Sequence, residues 1–349
     1  MKTDRHSPRN HFDAVKLNMT NATTLLVVVL FLAFFGALDP RSNIAQETPT
    51  PTERSLQQEN KQSSGAMQPP ANSSAQANSL LRQVIQALVH GPAFDAKVRE
   101  TVWTGGRQVV GVGTYEQAGL GSGRFNLQVT MHDGDGKHRL QQISDGRLAW
   151  TRSEIAGNVS LRRVDVGRLD QWVQGVHSPL PIAPRLQVGA WAEMLTSFLR
   201  DYQLHVEGAH LKGQPVWVIT GRLNQQRREQ VMTEAGLEQW PMLFPTRVRV
   251  AVQSEPDSET QFGAFLPVRI EFWSDPLRNV DSAESKLSGE GRLITLIEIY
   301  SLRPISAPPV ERFRFENQDA EVNFTNDTDR YIQQFGVELT ERQRRQLRR

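Results

Sequence analysis

The sequence predicts an α+β protein: one large, curved antiparallel sheet with helices covering its concave side. Three observations predict it. Stretches with apolar residues at every second position recur from about residue 94 to residue 302, separated by short turns rich in Gly, Asp or Pro. Helical periodicity is confined to the start and the middle of that region. Strands outnumber helices too strongly for strand–helix alternation, which argues against a parallel sheet. Antiparallel neighbours buried on one face fit this pattern, and a long row of them curls.

The elements follow in chain order. Thr23–Leu38, "TTLLVVVLFLAFFGAL", carries no charge and follows Lys2, Arg5, Arg9 and Lys16. A positive flank before an apolar run is the arrangement of an export signal or an N-terminal membrane anchor, so residues 1–38 are read as one or the other. Its length lies between the roughly 7–15 residues of a signal core and the roughly 20 of a full span. Residues 39–77 are rich in Pro, Ser, Thr, Gln and Asn and have little to bury, which predicts a disordered linker.

The folded domain is expected over 78–336. It opens with "SLLRQVIQALV", where Leu80, Leu81, Val84, Ile85 and Leu88 recur at helical spacing before Gly91–Pro92. The period then becomes two. Phe94, Ala96, Val98 and Val102 alternate with polar residues, and "QVVGVGTYEQ" follows Gly105–Gly106 as a hairpin partner. In "RFNLQVTMHD", Phe125, Leu127, Val129 and Met131 lie on one side and Arg124, Asn126, Gln128 and Thr130 on the other. "HRLQQIS" follows the "DGDGK" turn. The middle turns helical in "GRLDQWVQ" and "GAWAEMLTSFLRDY", whose Trp191, Met194, Leu195 and Phe198 form an apolar stripe. A proline-broken loop, "HSPLPIAPR", lies between them. Strands resume with "QPVWVITGRL", "TRVRVAVQS", "LPVRIEFWSD", "GRLITLIEIYSL" and "RFRFEN". Residues 337–349 form a basic tail, which starts as a short helix capped at Thr340 if it is helical at all.

Composition narrows the chemistry. The chain lacks cysteine, which removes disulfides, thiolate catalysis and cysteine-ligated metals. A net charge of +2 over 349 residues gives no global field that recruits nucleic acid. Asp133 and Asp135 lack the further oxygen ligands of a calcium loop and fit a hairpin turn. His132 and His138 lack a suitably spaced carboxylate for zinc and read as polar strand positions at the surface. "GLGSG" lacks the Gly-Lys-Ser/Thr ending of a phosphate loop. Asp165 and Asp170 read as residues that cap or flank a helix. No nucleophile elbow or carboxylate pair stands out, so the chain is expected to be no enzyme and to need no cofactor or metal.

"LQQISDGRLAW" carries a resemblance. Its Ser144, Asp145, Gly146, Arg147, Leu148 and Trp150, behind a leading amphipathic helix and long hairpins, resemble the periplasmic lipoprotein-carrier group of LolA-like and LolB-like proteins. The resemblance covers about Leu80–Asp165 by motif and the later strands by pattern. It implies an incomplete β-barrel plugged by helices, with an apolar cavity for acyl chains between them. This chain is longer than the compact carriers, with additions near Gln171–Arg185 and after Leu302. The arginine that links barrel to lid in those carriers has no counterpart that can be placed here.

Two functions are expected from these readings. The first is an exported, membrane-tethered, non-catalytic protein of the periplasm or cell envelope. It would hold an apolar ligand, such as a lipid acyl chain or lipoprotein, in a half-barrel cavity. Phe125, Leu127, Val129, Met131 and Trp150 would line the cavity, with Trp191, Met194 and Phe198 as its helical plug. The alternative is an envelope protein-interaction or stress-sensor domain on the same scaffold.

Overall fold

A computed structural model describes residues 71–104, 107–134, 136–177, 186, 188–275, 291–317, 322–341 and 343. The apolar segment Thr23–Leu38, most of the linker, the proline-broken loop and the end of the basic tail lie outside the described residues. No described helix is long and apolar enough to cross a membrane.

Among the described residues twelve strands form a single sheet. In chain order they are β1 (Phe94–Thr104), β2 (Arg107–Gln117), β3 (Arg124–His132), β4 (Lys137–Asp145), β5 (Leu148–Ile155), β6 (Asn158–Asp165), β7 (Tyr202–Leu211), β8 (Gln214–Leu223), β9 (Arg247–Gln253), β10 (Pro267–Ser274), β11 (Arg292–Pro304) and β12 (Phe324–Asn326). The spatial order is β12-β6-β5-β4-β3-β2-β1-β11-β10-β9-β8-β7, with both ends open. Each pair is antiparallel except β12 with β6, which is parallel. The sheet is thus mostly antiparallel, as the sequence pattern predicts, with one parallel pair at its edge. Five helices accompany it among the described residues: α1 (Ala71–His90), α2 (Val166–His177), α3 (Ala190–Asp201), α4 (Gln225–Glu234) and α5 (Thr328–Gln334).

Helix α1 starts at Ala71, inside the stretch that composition reads as linker, and buries Ala77, Leu80, Leu81, Val84 and Leu88. Its last carbonyls would be orphaned without partners. The β2–β3 turn supplies them: Leu120 N–H donates to Gly91 O at 2.8 Å and Gly121 N–H to Val89 O at 2.9 Å. From β2, Gln117 Nε2 donates to Leu88 O at 2.6 Å. "GLGSG" is thus the C-terminal cap of a helix.

The main core lies between α1, α3 and one face of the sheet, called inner below. Register gives the inner rows: Phe94, Ala96, Val98, Glu100 and Val102 on β1 oppose Gln117, Tyr115, Gly113, Gly111 and Val109 on β2. Those in turn face Phe125, Leu127, Val129 and Met131 on β3. A Cβ on Gly113 would collide with the Gln128 carbonyl, and one on Gly111 with the Met131 side chain. Glycine at both sites lets β3 approach β2 closely. A second core beneath β5 and β6 joins Ala149 and Val164 to Leu169 and Trp172 of α2 and to Tyr331 and Ile332 of α5.

The segment after β11 crosses the outer face. "RFRFEN", expected as a strand, instead holds a 3-10 turn (Val310–Phe313) that buries Phe313 completely. Asn126 Nδ2 donates to Arg312 O at 3.4 Å, and Arg312 pairs with Glu116 at 3.0 Å. Both partners lie on the outer face of β2 and β3, so this run acts as a strap rather than a thirteenth strand. At the C-terminal end Thr340 and Gln343 bond reciprocally: Thr340 N–H donates to Gln343 Oε1 at 2.7 Å, and Gln343 N–H to Thr340 Oγ1 at 3.4 Å. That is a capping box at the expected place.

Candidate functional site

The polar turns resolve first. Asp145 Oδ1 accepts from Arg147 N–H at 2.7 Å and from Leu148 N–H at 2.8 Å, and Gly146 takes φ 87°. Ser144 Oγ accepts from Gly146 N–H. The Ser-Asp-Gly-Arg run is thus a self-bonded turn, and its residue types serve backbone geometry. Asp133 Oδ1 likewise accepts from Gly136 N–H, as a hairpin turn requires. His138 departs from its expected surface position. Its register with Met131 places it inward, it is buried, and its Nε2 lies 2.8 Å from Asp133 Oδ2. His132 faces the other side and is exposed. Among the described residues no cluster of His, Asp or Glu could hold a metal ion.

The inner face forms a floor, and α3 forms much of its roof. Tyr115 stacks on Trp191 of α3 at 4.1 Å and lies 6.4 Å from Phe125. Phe198 packs edge-on against Tyr202 at 5.4 Å and Phe272 at 5.9 Å. Hence α3 reaches from β2 and β3 to β10, with Leu195 and Phe198 wholly buried.

A polar latch holds the N-terminus of α3. Gly189 enters the helix at φ 92°, and a Cβ there would lie 2.7 Å from Phe125 Cζ, so only glycine fits. Ala190 N–H donates to Gln142 Oε1 on β4 at 2.9 Å. Glu193 reaches back to accept from Gly189 N–H, and the Tyr331 hydroxyl of α5 donates to its carboxyl at 2.9 Å. Burial pushes the Glu193 carboxyl upward, while the Gly189 and Tyr331 bonds and the charges of Arg330 and Arg200 oppose it. Burial, then the Glu193 charge, pushes the Tyr331 phenol well above its ordinary value.

A cavity of about 50 Å³ lies beside this latch, lined by Phe125, Leu140, Ala149, Val164, Val188 and Glu193. It occupies the seam between the two cores. Ligand pockets for drug-sized molecules run to about 300–1,000 Å³, so this one admits no whole ligand as it stands. A wider polar cleft of about 520 Å³ opens between α3, α4 and α5, where Arg200, Arg227 and Arg330 alternate with Asp201 and Glu234 beside Trp240.

The structure brings together seven of the eight residues expected at the ligand site. Phe125, Leu127, Val129, Met131, Trp191, Met194 and Phe198 belong to one buried cluster. Trp150 does not join them. It pairs with Ile143, whereas the inner row runs through Gln142 and Ser144, so its side chain faces outward. There its ring stacks on Phe315 at 4.9 Å and meets Phe324 edge-on at 5.4 Å. The error is one of parity: a single residue of register moves a side chain through the sheet. Counting from Leu140, Ala149 takes the inner position.

Sequence reasoning passed over Gln142, Glu193 and Tyr331, and also Glu100. Glu100 occupies an inner position between Val98 and Val102, opposite Gly111 and Ile297, and is 3% exposed. Burial alone raises its carboxyl from 4.5 to about 8. The signal was present: it stands on the apolar parity of "VRETV", where a surface carboxylate has no place.

No protein-family model matches the chain, and no curated protein matches it in sequence. Solved structures similar to it include the MucA/MucB complex of Pseudomonas aeruginosa, at 11% identity and a TM-score of 0.33 over 69% of this chain. The match spans 61% of that chain. A DUF1329 family protein from Desulfovibrio piger is similar at 10% identity and a TM-score of 0.31, over 69% of this chain and 97% of that one. A LolA superfamily protein from Nitrosomonas europaea is similar at 12% identity and a TM-score of 0.26, over 68% and 97%. Likenesses of this size say nothing about what this chain binds.

Proposed function

We propose that this chain is an exported, non-catalytic binding protein of the cell envelope. Residues 1–38 direct or anchor it and the linker up to residue 70, before α1, tethers it. Its ligand is an apolar chain, such as a lipid acyl group, laid against the inner face of the sheet beneath α3. One observation carries the reading: the inner floor of β1 to β3 is apolar apart from Glu100 and Gln117, and the space over Gly111 at its centre is filled by the flexible Met131 side chain beside Val129. Methionine fills irregular gaps and vacates them by rotamer changes.

Magnitudes allow the exchange. Lifting Trp191, Met194, Leu195 and Phe198 off the floor costs about 6–12 kcal/mol at roughly 1.5–3 for each buried side chain. An acyl chain of about 12–16 methylenes returns roughly 10–13 kcal/mol at 0.8 for each. A ligand therefore replaces its cover at little net cost, with entry at the seam beside Phe125. The test is a titration of the full-length chain with cis-parinaric acid, read together with mass spectrometry of organic extracts. Saturable binding that quenches tryptophan emission supports the reading. Absence of both binding and extractable lipid would end it.

The closure of the inner face favours a second reading, a scaffold for protein contacts in the envelope, with the polar cleft between α3, α4 and α5 as its surface. A lipid-free extract, no uptake of probe, and a stoichiometric partner lost on Arg227→Glu would decide for it.

A further inference from the structure

Glu100 and Thr295 sit side by side on the inner face. Val102 on β1 pairs with Thr295 on β11 and Glu100 with Ile297, so the two polar side chains are diagonal neighbours on one surface. Both are buried, at 3% and 2% exposure. Among the described residues the Thr295 hydroxyl has no hydrogen-bond partner, and burial is what raises the Glu100 carboxyl beside it. Register places Val98, Val102, Gly111, Ile297 and Phe272 around them, with Met131 over Gly111 and, among the described residues, the Thr104 hydroxyl as the one other polar neighbour of Thr295. Buried polar groups are normally satisfied, and leaving one bare costs about 1–3 kcal/mol. A bare hydroxyl beside a buried carboxyl, in a part of the floor that is otherwise mostly apolar, marks a place where a partner comes from outside the chain.

We propose that Glu100 and Thr295 form a polar anchor for the neutral carbonyl of an acyl ester or amide, held beside Gly111 where Met131 now lies. This rests on the reading of the inner face as a ligand face. With its proton on, Glu100 donates one hydrogen bond and Thr295 a second, and one carbonyl oxygen has two lone pairs to receive them. Its raised pKa keeps that proton in place at neutral pH. Distance fits as well. Gly111, opposite Glu100, and Gln117, opposite Phe125, are six residues apart on β2, about 20 Å along a strand. One leaflet of a bilayer is half of a hydrocarbon core roughly 30 Å thick, so an acyl chain from a membrane lipid spans most of the way from anchor to seam.

The experiment compares two probes on the full-length chain by fluorescence titration: the methyl ester of cis-parinaric acid, and an octadecatetraene with the same conjugated chain and no carbonyl. The expected result is an ester affinity about tenfold above that of the hydrocarbon. Glu100→Leu and Thr295→Val should each reduce that preference while leaving hydrocarbon binding intact. Glu100→Gln, which keeps a donor, should retain it. Equal affinities in the unmodified protein, or a preference that survives in both Glu100→Leu and Thr295→Val, overturn the anchor and leave the ligand face standing. A long-chain alkylamine bound more tightly than the ester overturns the choice of a carbonyl. If neither probe binds, the ligand face falls and the anchor with it.

Discussion

Replacing Glu100 by glutamine should change how stability depends on pH, in a direction fixed by the structure. Burial holds the folded-state pKa near 8, against an ordinary value of 4.5. Between those values the folded protein keeps a proton that the unfolded chain releases, so rising pH favours unfolding. Below about pH 4.5 the carboxyl is neutral in both states and no loss is felt. Above about pH 8 it is ionised in both and the loss is complete. At 1.36 kcal/mol for each pH unit, the whole interval amounts to about 5 kcal/mol, and the part accumulated by pH 7 to about 3 kcal/mol. The inner-face neighbours given by register are Val98, Val102, Gly111, Thr295 and Ile297, none of which titrates, so the slope belongs to Glu100. Urea unfolding followed by circular dichroism at pH 5, 7 and 8.5 measures it. Glutamine carries a constant cost for its buried amide, which shifts its curve without tilting it, and Glu193 titrates in both proteins and cancels. Glu100→Gln should therefore gain on the unmodified chain by about 4 kcal/mol between pH 5 and pH 8.5. Parallel pH profiles would mean that the carboxyl is solvated or paired, and would refute the burial on which the anchor also depends.

Gly189→Ala puts a Cβ 2.7 Å from Phe125 Cζ at a residue with φ 92°, and should lower stability by about 1–3 kcal/mol in the same urea assay; no change would show that α3 starts differently. Tyr331→Phe removes one donor from the buried Glu193 carboxyl and should cost about 1–3 kcal/mol. Most of that cost should vanish in a Glu193→Gln background, and additive losses would break the latch into independent parts. Trp150→Ala should lower the unfolding midpoint, through lost stacking on Phe315 and Phe324, yet leave cis-parinaric acid binding as it was. Loss of binding would return Trp150 to the ligand face.

Much of the fold was legible because alternation is a local signal. Phe125, Leu127, Val129 and Met131 declare one face without help from anywhere else, and four residues on consecutive odd positions fix the parity of a whole strand. Where apolar content thins, parity has no such support. "LQQISDGRLAW" offers Leu140 and Ile143 on opposite sides, and the turn at Asp145–Gly146 resets the phase, so Trp150 falls on the side of Ile143. Register between strands decides such cases, and register is a tertiary property. Helices α4 and α5 escaped for a related reason. Gln225–Glu234 buries no residue and so has no apolar stripe to announce it, and Thr328–Gln334 buries only Thr328, Tyr331 and Ile332, too few to set a period.

The candidate site was legible only in its apolar half, and the reason lies in how polar residues are read. A charged or amide side chain within a strand is normally assigned to the solvent side, so Glu100, Gln142 and Glu193 drop out of a search for a greasy face. In the structure they are what gives that face its direction. Gln142 and Glu193 spend their hydrogen bonds on Ala190, Gly189 and Tyr331, which makes them fastenings of the cover. Glu100 is the most deeply set carboxyl of β1, beside the bare Thr295 hydroxyl. A face held shut by satisfied polar groups at one end, with an unsatisfied one at the other, is asymmetric in the way a site for an amphiphile must be. Apolar packing alone would hold a hydrocarbon equally well in either sense. If the latch residues and Glu100 proved interchangeable in their effect on ester binding, that polarity would be lost, and the inner face would be a core like any other.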